Sequence, residues 1–336
     1  MQKETHYMLM IYLVMTFGLG GHGHHEGAFL DCYIPYFGGF GLRFTLDGFR
    51  LIYGTIVAFM WAGATLLSGE YFKHHHNTNR FYLFLLWTMG ATMAVFLSAD
   101  LVTTFIFFEV MSFTSYVWVA QEENVLALKA AGTYLAVAVI GGLVTLTGIF
   151  ILSRIAGTVV IDEIAAAVAG FENQNFLFIV AFLIFFGFAA KAGMFPLNGW
   201  LPKAHPAAPA PASAALSGIL IKTGVFGAIV VTSRVMQGNE KWAMFVLCIG
   251  ILTMFLGALC AFMSTNLKET LAYSSMSQIG FIVIGVAMTQ FLGEHGAIAA
   301  YGTVLHMINH TMIKLVLFTC AGIVYQNTHS LNLNEV

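Results

Sequence analysis

The sequence predicts an all-α, polytopic membrane protein of about ten transmembrane helices, one of them broken by proline. Three observations predict it. Hydrophobic residues make up 59% of the 336-residue chain and charged residues 9%, whereas a soluble domain needs roughly 25% charged residues to cover its surface. Apolar runs of the length that spans a hydrocarbon core, about 20 residues per helix, recur along the chain. Five of the six prolines fall between Pro196 and Pro211, where lost backbone donors and ring clashes interrupt a helix.

The first helix is the apolar run Tyr7 to Leu19 after Lys3. It starts like a secretory signal, but no small-residue cleavage site follows, so it is expected to be retained. Further spans are expected near 48–71, 80–98, 101–120, 129–153, 176–192, 212–233, 242–263, 271–290 and 298–324. The longest polar gaps, near 20–47 and 154–175, are too short for a soluble catalytic domain. The whole chain, 1–336, therefore reads as a single membrane domain. A faint repeat places Ala131-Gly132-Thr133-Tyr134-Leu135 over Tyr301-Gly302-Thr303-Val304-Leu305. It fits an internally duplicated transporter, with a first repeat over about 101–236 and an incomplete, inverted second one over about 242–336.

Composition also excludes classes. The net charge of −2 comes without a basic patch suited to nucleic acid. The cysteines, Cys32, Cys248, Cys260 and Cys320, are scattered, with no CxxC pair. No iron–sulfur centre, other cofactor or metal is expected, and any electrons travel in another subunit.

Six residues carry candidate chemistry. Glu109 lies mid-span in Leu101-Val-Thr-Thr-Phe-Ile-Phe-Phe-Glu, where a lone charge costs at least about 2.5–3.5 kcal/mol. It is either a protonated acid bonded between helices or a carboxylate partnered by a membrane lysine. Asp100, just before this helix, is a natural N-cap. Lys191, in Phe188-Ala-Ala-Lys-Ala-Gly-Met-Phe-Pro, is the candidate partner, with snorkelling to the membrane surface as the alternative. Burial disfavours a charged lysine and a nearby carboxylate favours it, so the distance to Glu109 would set whether Lys191 holds its proton. Lys222 lies ten residues into its span, a depth from which snorkelling is harder.

His306, His310 and Lys314 follow one another at spacings of four, a ladder on one helix face with rungs about 6 Å apart. One water can bridge such a gap, and histidine titrates near neutrality. Two histidines at i and i+4 also match a metal-binding pair, though no acidic or thiol ligand stands nearby in sequence. The histidine groups in Gly21-His-Gly-His-His-Glu and Lys73-His-His-His read as solvated loops, with metal binding as the alternative. Lys268 is expected in a short loop, as a solvated charge.

The stretch Lys191-Ala-Gly-Met-Phe-Pro-Leu-Asn-Gly-Trp-Leu-Pro-Lys-Ala-His-Pro-Ala-Ala-Pro-Ala-Pro, continuing to Ile221-Lys-Thr-Gly, closely resembles the signature of antiporter-like proton-channel subunits. These occur in respiratory complex I, in energy-converting membrane-bound hydrogenases and in Mrp-type sodium/proton antiporters. Phe107-Phe-Glu-Val-Met-Ser, Leu267-Lys-Glu-Thr-Leu-Ala-Tyr-Ser-Ser, His306-Met-Ile-Asn-His-Thr-Met-Ile-Lys and Leu46-Asp-Gly-Phe are similar to further family motifs. The resemblance implies that Glu109 and Lys191 form an ion pair, that Lys222 is the central relay, and that His306, His310 and Lys314 join two half-channels. It also implies a multi-pass chain of the cell inner (plasma) membrane. Partner membrane subunits would surround it, one of them supplying missing C-terminal helices, along with peripheral redox subunits and the lipid bilayer.

The expected function is proton translocation through this buried relay within a redox-driven complex of the membrane-bound hydrogenase or complex I type. The alternatives are a subunit of an Mrp-type antiporter and a non-conducting membrane scaffold.

Overall fold

A computed structural model of the chain describes residues 28–36, 41–73 and 78–335. The expected helix at 7–19 and the histidines at 22–25 and 74–76 lie outside the described residues. The polar gap after the first run holds an antiparallel hairpin, β1 (Ala28–Ile34) and β2 (Leu42–Asp47), with Cys32 opposite Phe44. Arg43 anchors the hairpin to the bundle: its carbonyl accepts from the Ala99 amide at 2.9 Å and its amide donates to Thr103 Oγ1 at 3.0 Å.

Nine helices among the described residues are long and apolar enough to cross a membrane. They are α1 (Gly48–Tyr71), α2 (Thr78–Leu97), α3 (Leu101–Val119), α4 (Val125–Ala156), α6 (Gln174–Ala192), α8 (Ala210–Val235), α9 (Glu240–Met263), α10 (Leu267–Phe291) and α11 (Gly296–Thr328). Two short helices, α5 (Ile161–Val168) and α7 (Leu201–Ala207), lie between them. The chain is a multi-pass, helical membrane protein.

Several helices begin a few residues before the apolar runs do, because asparagine starts them. The side chains of Asn124, Asn173, Asn239 and Asn266 accept from the amides of Ala127, Phe176, Trp242 and Glu269, respectively. Each occupies one of the donors that a helix start leaves unpaired. Asp47 and Asp100 cap α1 and α3 in the same way, by bonds from Arg50 and Thr103. The Asp47 carboxylate also pairs with the Arg50 guanidinium, whose Nη2 donates to the Ser98 carbonyl at 3.2 Å.

The proline-rich segment is built differently from a single kinked helix. Helix α6 stops at Ala192, where Gly193 takes φ 71°, three residues ahead of Pro196. A 3₁₀ turn at Asn198–Trp200 leads into α7. Pro202 sits in the first turn of α7, and Pro211 in the first turn of α8. There a missing N–H forfeits no helical bond. Trp200 ties the segment back to the bundle, its Nε1 donating to the Ala190 carbonyl at 2.7 Å.

Helix α8 is the axis of the molecule, with 94% of its apolar window buried, against 22% for α9 and 33% for α4. Small residues let its neighbours approach closely. A Cβ on Gly224 of α8 would come within 2.3 Å of the Phe188 carbonyl on α6, and one on Gly187 of α6 within 2.3 Å of the Gly141 carbonyl on α4. Without water to drive association, such contacts hold membrane helices together by packing.

One expectation is overturned. Lys268 is not a solvated loop charge: it is the second residue of α10, only 3% exposed, and its Nζ donates to the Ala208 carbonyl at 2.9 Å. The break between α7 and α8 leaves that carbonyl outside any helical ladder, and a cation at a helix C-terminus also suits the dipole.

Candidate functional site

All six candidate residues lie on helices, and Lys191, Lys222, His310 and Lys314 are each at most 4% exposed. Closed off from solvent, their polar atoms depend on what the surrounding helices provide.

Lys191 is in the last turn of α6, and its Nζ donates to Ser112 Oγ at 3.0 Å and to the Tyr134 hydroxyl. Tyr134 in turn shares a 2.6 Å bond with Ser115 and packs edge-on against Trp200. The ammonium also lies 4.7 Å from the centre of the Tyr134 ring, a cation–π distance. Glu109 is close enough for its charge to reach Lys191, but the two make no ion pair among the described residues. Glu109 is half-buried and its Oε1 has no hydrogen-bond partner among them.

The carboxylate of Glu109 rests against Gly142 of α4, where an added Cβ would meet Oε1 at 2.2 Å. Glycine is therefore what leaves room for the acid. Gly142→Ala should displace the carboxylate while leaving Lys191 and its hydroxyl partners in place. Proton flux should fall several-fold with normal assembly, measured in vesicles beside the wild type. An unchanged flux would mean that the position of Glu109 is immaterial.

Lys222 opens a second cluster. Helix α8 carries a π-helical turn at Leu216–Leu220, and two carbonyls there serve side chains instead of the helix alone. Ser217 O accepts from Lys222 Nζ at 2.8 Å, and Gly218 O accepts from Thr311 Oγ1 at 2.8 Å. Lys222 Nζ also lies 2.7 Å from His310 Nδ1 on α11. Gly224, two residues on, is the contact with α6 at Phe188 and Ala192, so the Lys191 and Lys222 clusters are joined through touching backbones.

The α11 ladder divides between its neighbours. His310 faces Lys222, whereas Lys314 Nζ donates to the Leu271 carbonyl at 2.9 Å and to Ser274 Oγ at 3.0 Å, both on α10. His306 is half-buried beside Phe281, with ring centroids 6.0 Å apart. No group of three or more His, Cys, Asp or Glu residues that could hold a metal occurs among the described residues.

The hydroxyl partners Ser112, Tyr134 and Ser274, and the Ser217 carbonyl, were not singled out by sequence reasoning. Ser112 does lie three residues after Glu109, on the same face of α3. Tyr134 belongs to the short repeated segment. Neither spacing names a lysine as partner, because the contact crosses helices.

Residues 98–336 match the family described as NADH:quinone oxidoreductase/Mrp antiporter, TM. The chain belongs to this family. It is 33% identical over 288 residues to the A/B component of a probable K(+)/H(+) antiporter of Rhizobium meliloti (strain 1021), covering 84% of this chain and 28% of that protein. It is 32% identical over 256 residues to hydrogenase-4 component B of Escherichia coli (strain K12), covering 73% of this chain and 38% of that one. The chain thus spans well under half the length of these curated relatives. Its fold superposes on a chain of the Mrp complex from Dietzia sp. DQ12-45-1b with a TM-score of 0.86 at 24% identity, over 97% of this chain and 35% of the other.

Proposed function

We propose that this antiporter-like membrane protein translocates protons along a buried relay within a multisubunit complex of the plasma membrane, driven by electron transfer in partner subunits. The carrying observation is the 2.7 Å contact between Lys222 Nζ and His310 Nδ1 at the buried centre of the bundle. Two groups able to hold the same proton face each other there, both closed off from bulk solvent. Keeping buried cations costs several kcal/mol each, which an inert anchor has no reason to bear.

In this reading Glu109 tunes Lys191, since an approaching carboxylate favours the charged lysine and a retreating one favours proton release. Lys191 rests on neutral hydroxyls, which suits a group that exists in both charge states. Lys222 and His310 then pass the proton on, and His306 and Lys314 extend the path along α11. The similarity to a hydrogenase-4 component supports redox drive. A second reading, membership of a cation/proton antiporter complex, is supported by the relative named for K(+)/H(+) antiport, which matches more of the chain.

Inverted membrane vesicles containing the complex separate the two. Acidification of the lumen on adding an electron donor, unaffected by sodium or potassium gradients, supports redox drive. Proton movement that follows an imposed cation gradient and ignores the donor overturns it in favour of the second reading.

A further inference from the structure

Three of the five arginines close on carboxylates: Arg50 on Asp47, Arg80 on Glu123 and Arg234 on Asp162. The other two, Arg43 and Arg154, make no carboxylate ion pair among the described residues. Both line one cleft of about 880 Å³ beside the hairpin. Arg43 is on β2, its guanidinium 5.0 Å from the centre of the Tyr33 ring on the facing strand. Arg154 is in the last turn of α4.

The carboxylates at this end of the bundle are already engaged. Asp100 also lines the cleft, but it is 3% exposed and accepts from the Thr103 amide and hydroxyl, each at 2.7 Å. Asp47 and Asp162 hold Arg50 and Arg234, and Glu163 accepts from the Thr158 hydroxyl at 2.6 Å. Asp31 lines a neighbouring cleft and not this one. Two guanidiniums thus face one occupied carboxylate, which leaves positive charge for an outside anion to balance.

Depth and lining say which anion. Helix α4 has 32 residues, a length of about 48 Å at 1.5 Å per residue, against about 30 Å of hydrocarbon. Its last turn, with Arg154, therefore stands at the level of the lipid headgroups. Phe150, one turn earlier and 45% exposed, lines the same cleft with Ile151 and faces it with apolar surface. A free anion gains nothing from such a wall, whereas an acyl chain does. We infer that this cleft binds an anionic phospholipid, its phosphate between Arg43 and Arg154 and its chains along Phe150 and Ile151. The planar guanidinium matches phosphate with two parallel hydrogen bonds, and basic side chains at this depth favour anionic lipids. Arg43 is bonded through its backbone to Ala99 and Thr103. The bound lipid therefore ties the hairpin to the end of α4, around the start of α3. The inference does not depend on the relay reading.

The test is native mass spectrometry of the complete complex in detergent, with phosphatidylglycerol or phosphatidylcholine added at equal concentration. Wild type should carry at least about fivefold more phosphatidylglycerol than phosphatidylcholine. The double variant Arg43→Gln/Arg154→Gln should lose more than half of that preference. Lys241→Gln, which removes an exposed charge outside the cleft, should keep it. Both arginines are exposed, so the double variant should fold and elute from size exclusion as wild type does. A preference unchanged in the double variant overturns the assignment. So does displacement of the lipid by millimolar inorganic phosphate, which would make this a free-anion site. Loss of another component of the complex from the double variant, with lipid retained, overturns it too, because the arginines would then hold an acidic protein surface.

Discussion

Lys191→Ala is expected to abolish proton transport while the complex still assembles. A positioned proton-transfer group contributes typically 10²–10⁴-fold, so flux should drop at least about 100-fold. Assembly should survive because the partners of Lys191 are not orphaned. Ser112 Oγ also donates to the Phe108 carbonyl at 2.9 Å, and Tyr134 keeps its 2.6 Å bond to Ser115. Removing the ammonium takes away a buried cation and leaves two satisfied hydroxyls. Glu109→Gln should give a milder loss, because it removes the charge that tunes Lys191 but leaves the carrier itself. Flux is read from a pH-sensitive dye in vesicles, and assembly from co-migration of the complex's components. Wild-type flux in Lys191→Ala would end its role as a carrier.

The second large effect is expected at Lys222, where charge and proton transfer can be separated. Arginine keeps the positive charge and can reach the same acceptors, yet it does not give up its proton inside a protein. Lys222→Arg should therefore lose flux about as fully as Lys222→Met. A fixed cation at this place, needed only to set the local field, would leave Lys222→Arg active. Lys222→Met further strips His310 of its partner at Nδ1, and its Nε2 has none among the described residues. Some loss of stability is expected there, of about 1–3 kcal/mol. The arginine variant decides between the two roles, and normal flux in it would make Lys222 a fixed charge and not a relay.

Both predictions draw on residues whose types and depth are visible in the chain. A lysine ten residues into an apolar run, or a glutamate in the middle of one, stands out because hydrocarbon tolerates so few charges. Their partners do not stand out. Serine and tyrosine are common on membrane helices, and only the packing of α3, α4 and α6 places Ser112 and Tyr134 around Lys191. Lys268 shows the same limit from the other side. Flanked by Asn266 and Glu269, it reads as surface, and only the broken carbonyl of Ala208 draws it inward.

By itself the chain determined its solvent, the nine apolar spans that fall among the described residues, and the burial of Lys191, Lys222, His310 and Lys314 though not of Lys268. Those follow from composition and from the fixed thickness of a bilayer, both properties that are local along the sequence. Tertiary structure alone decided which charges meet. Lys222 faces His310 across 88 positions of chain, Lys191 rests on hydroxyls instead of closing on Glu109, and glycine rather than proline ends α6. The reason is physical. Pairing inside a membrane depends on how closely helices approach, and a few small residues set that approach at places no periodicity marks.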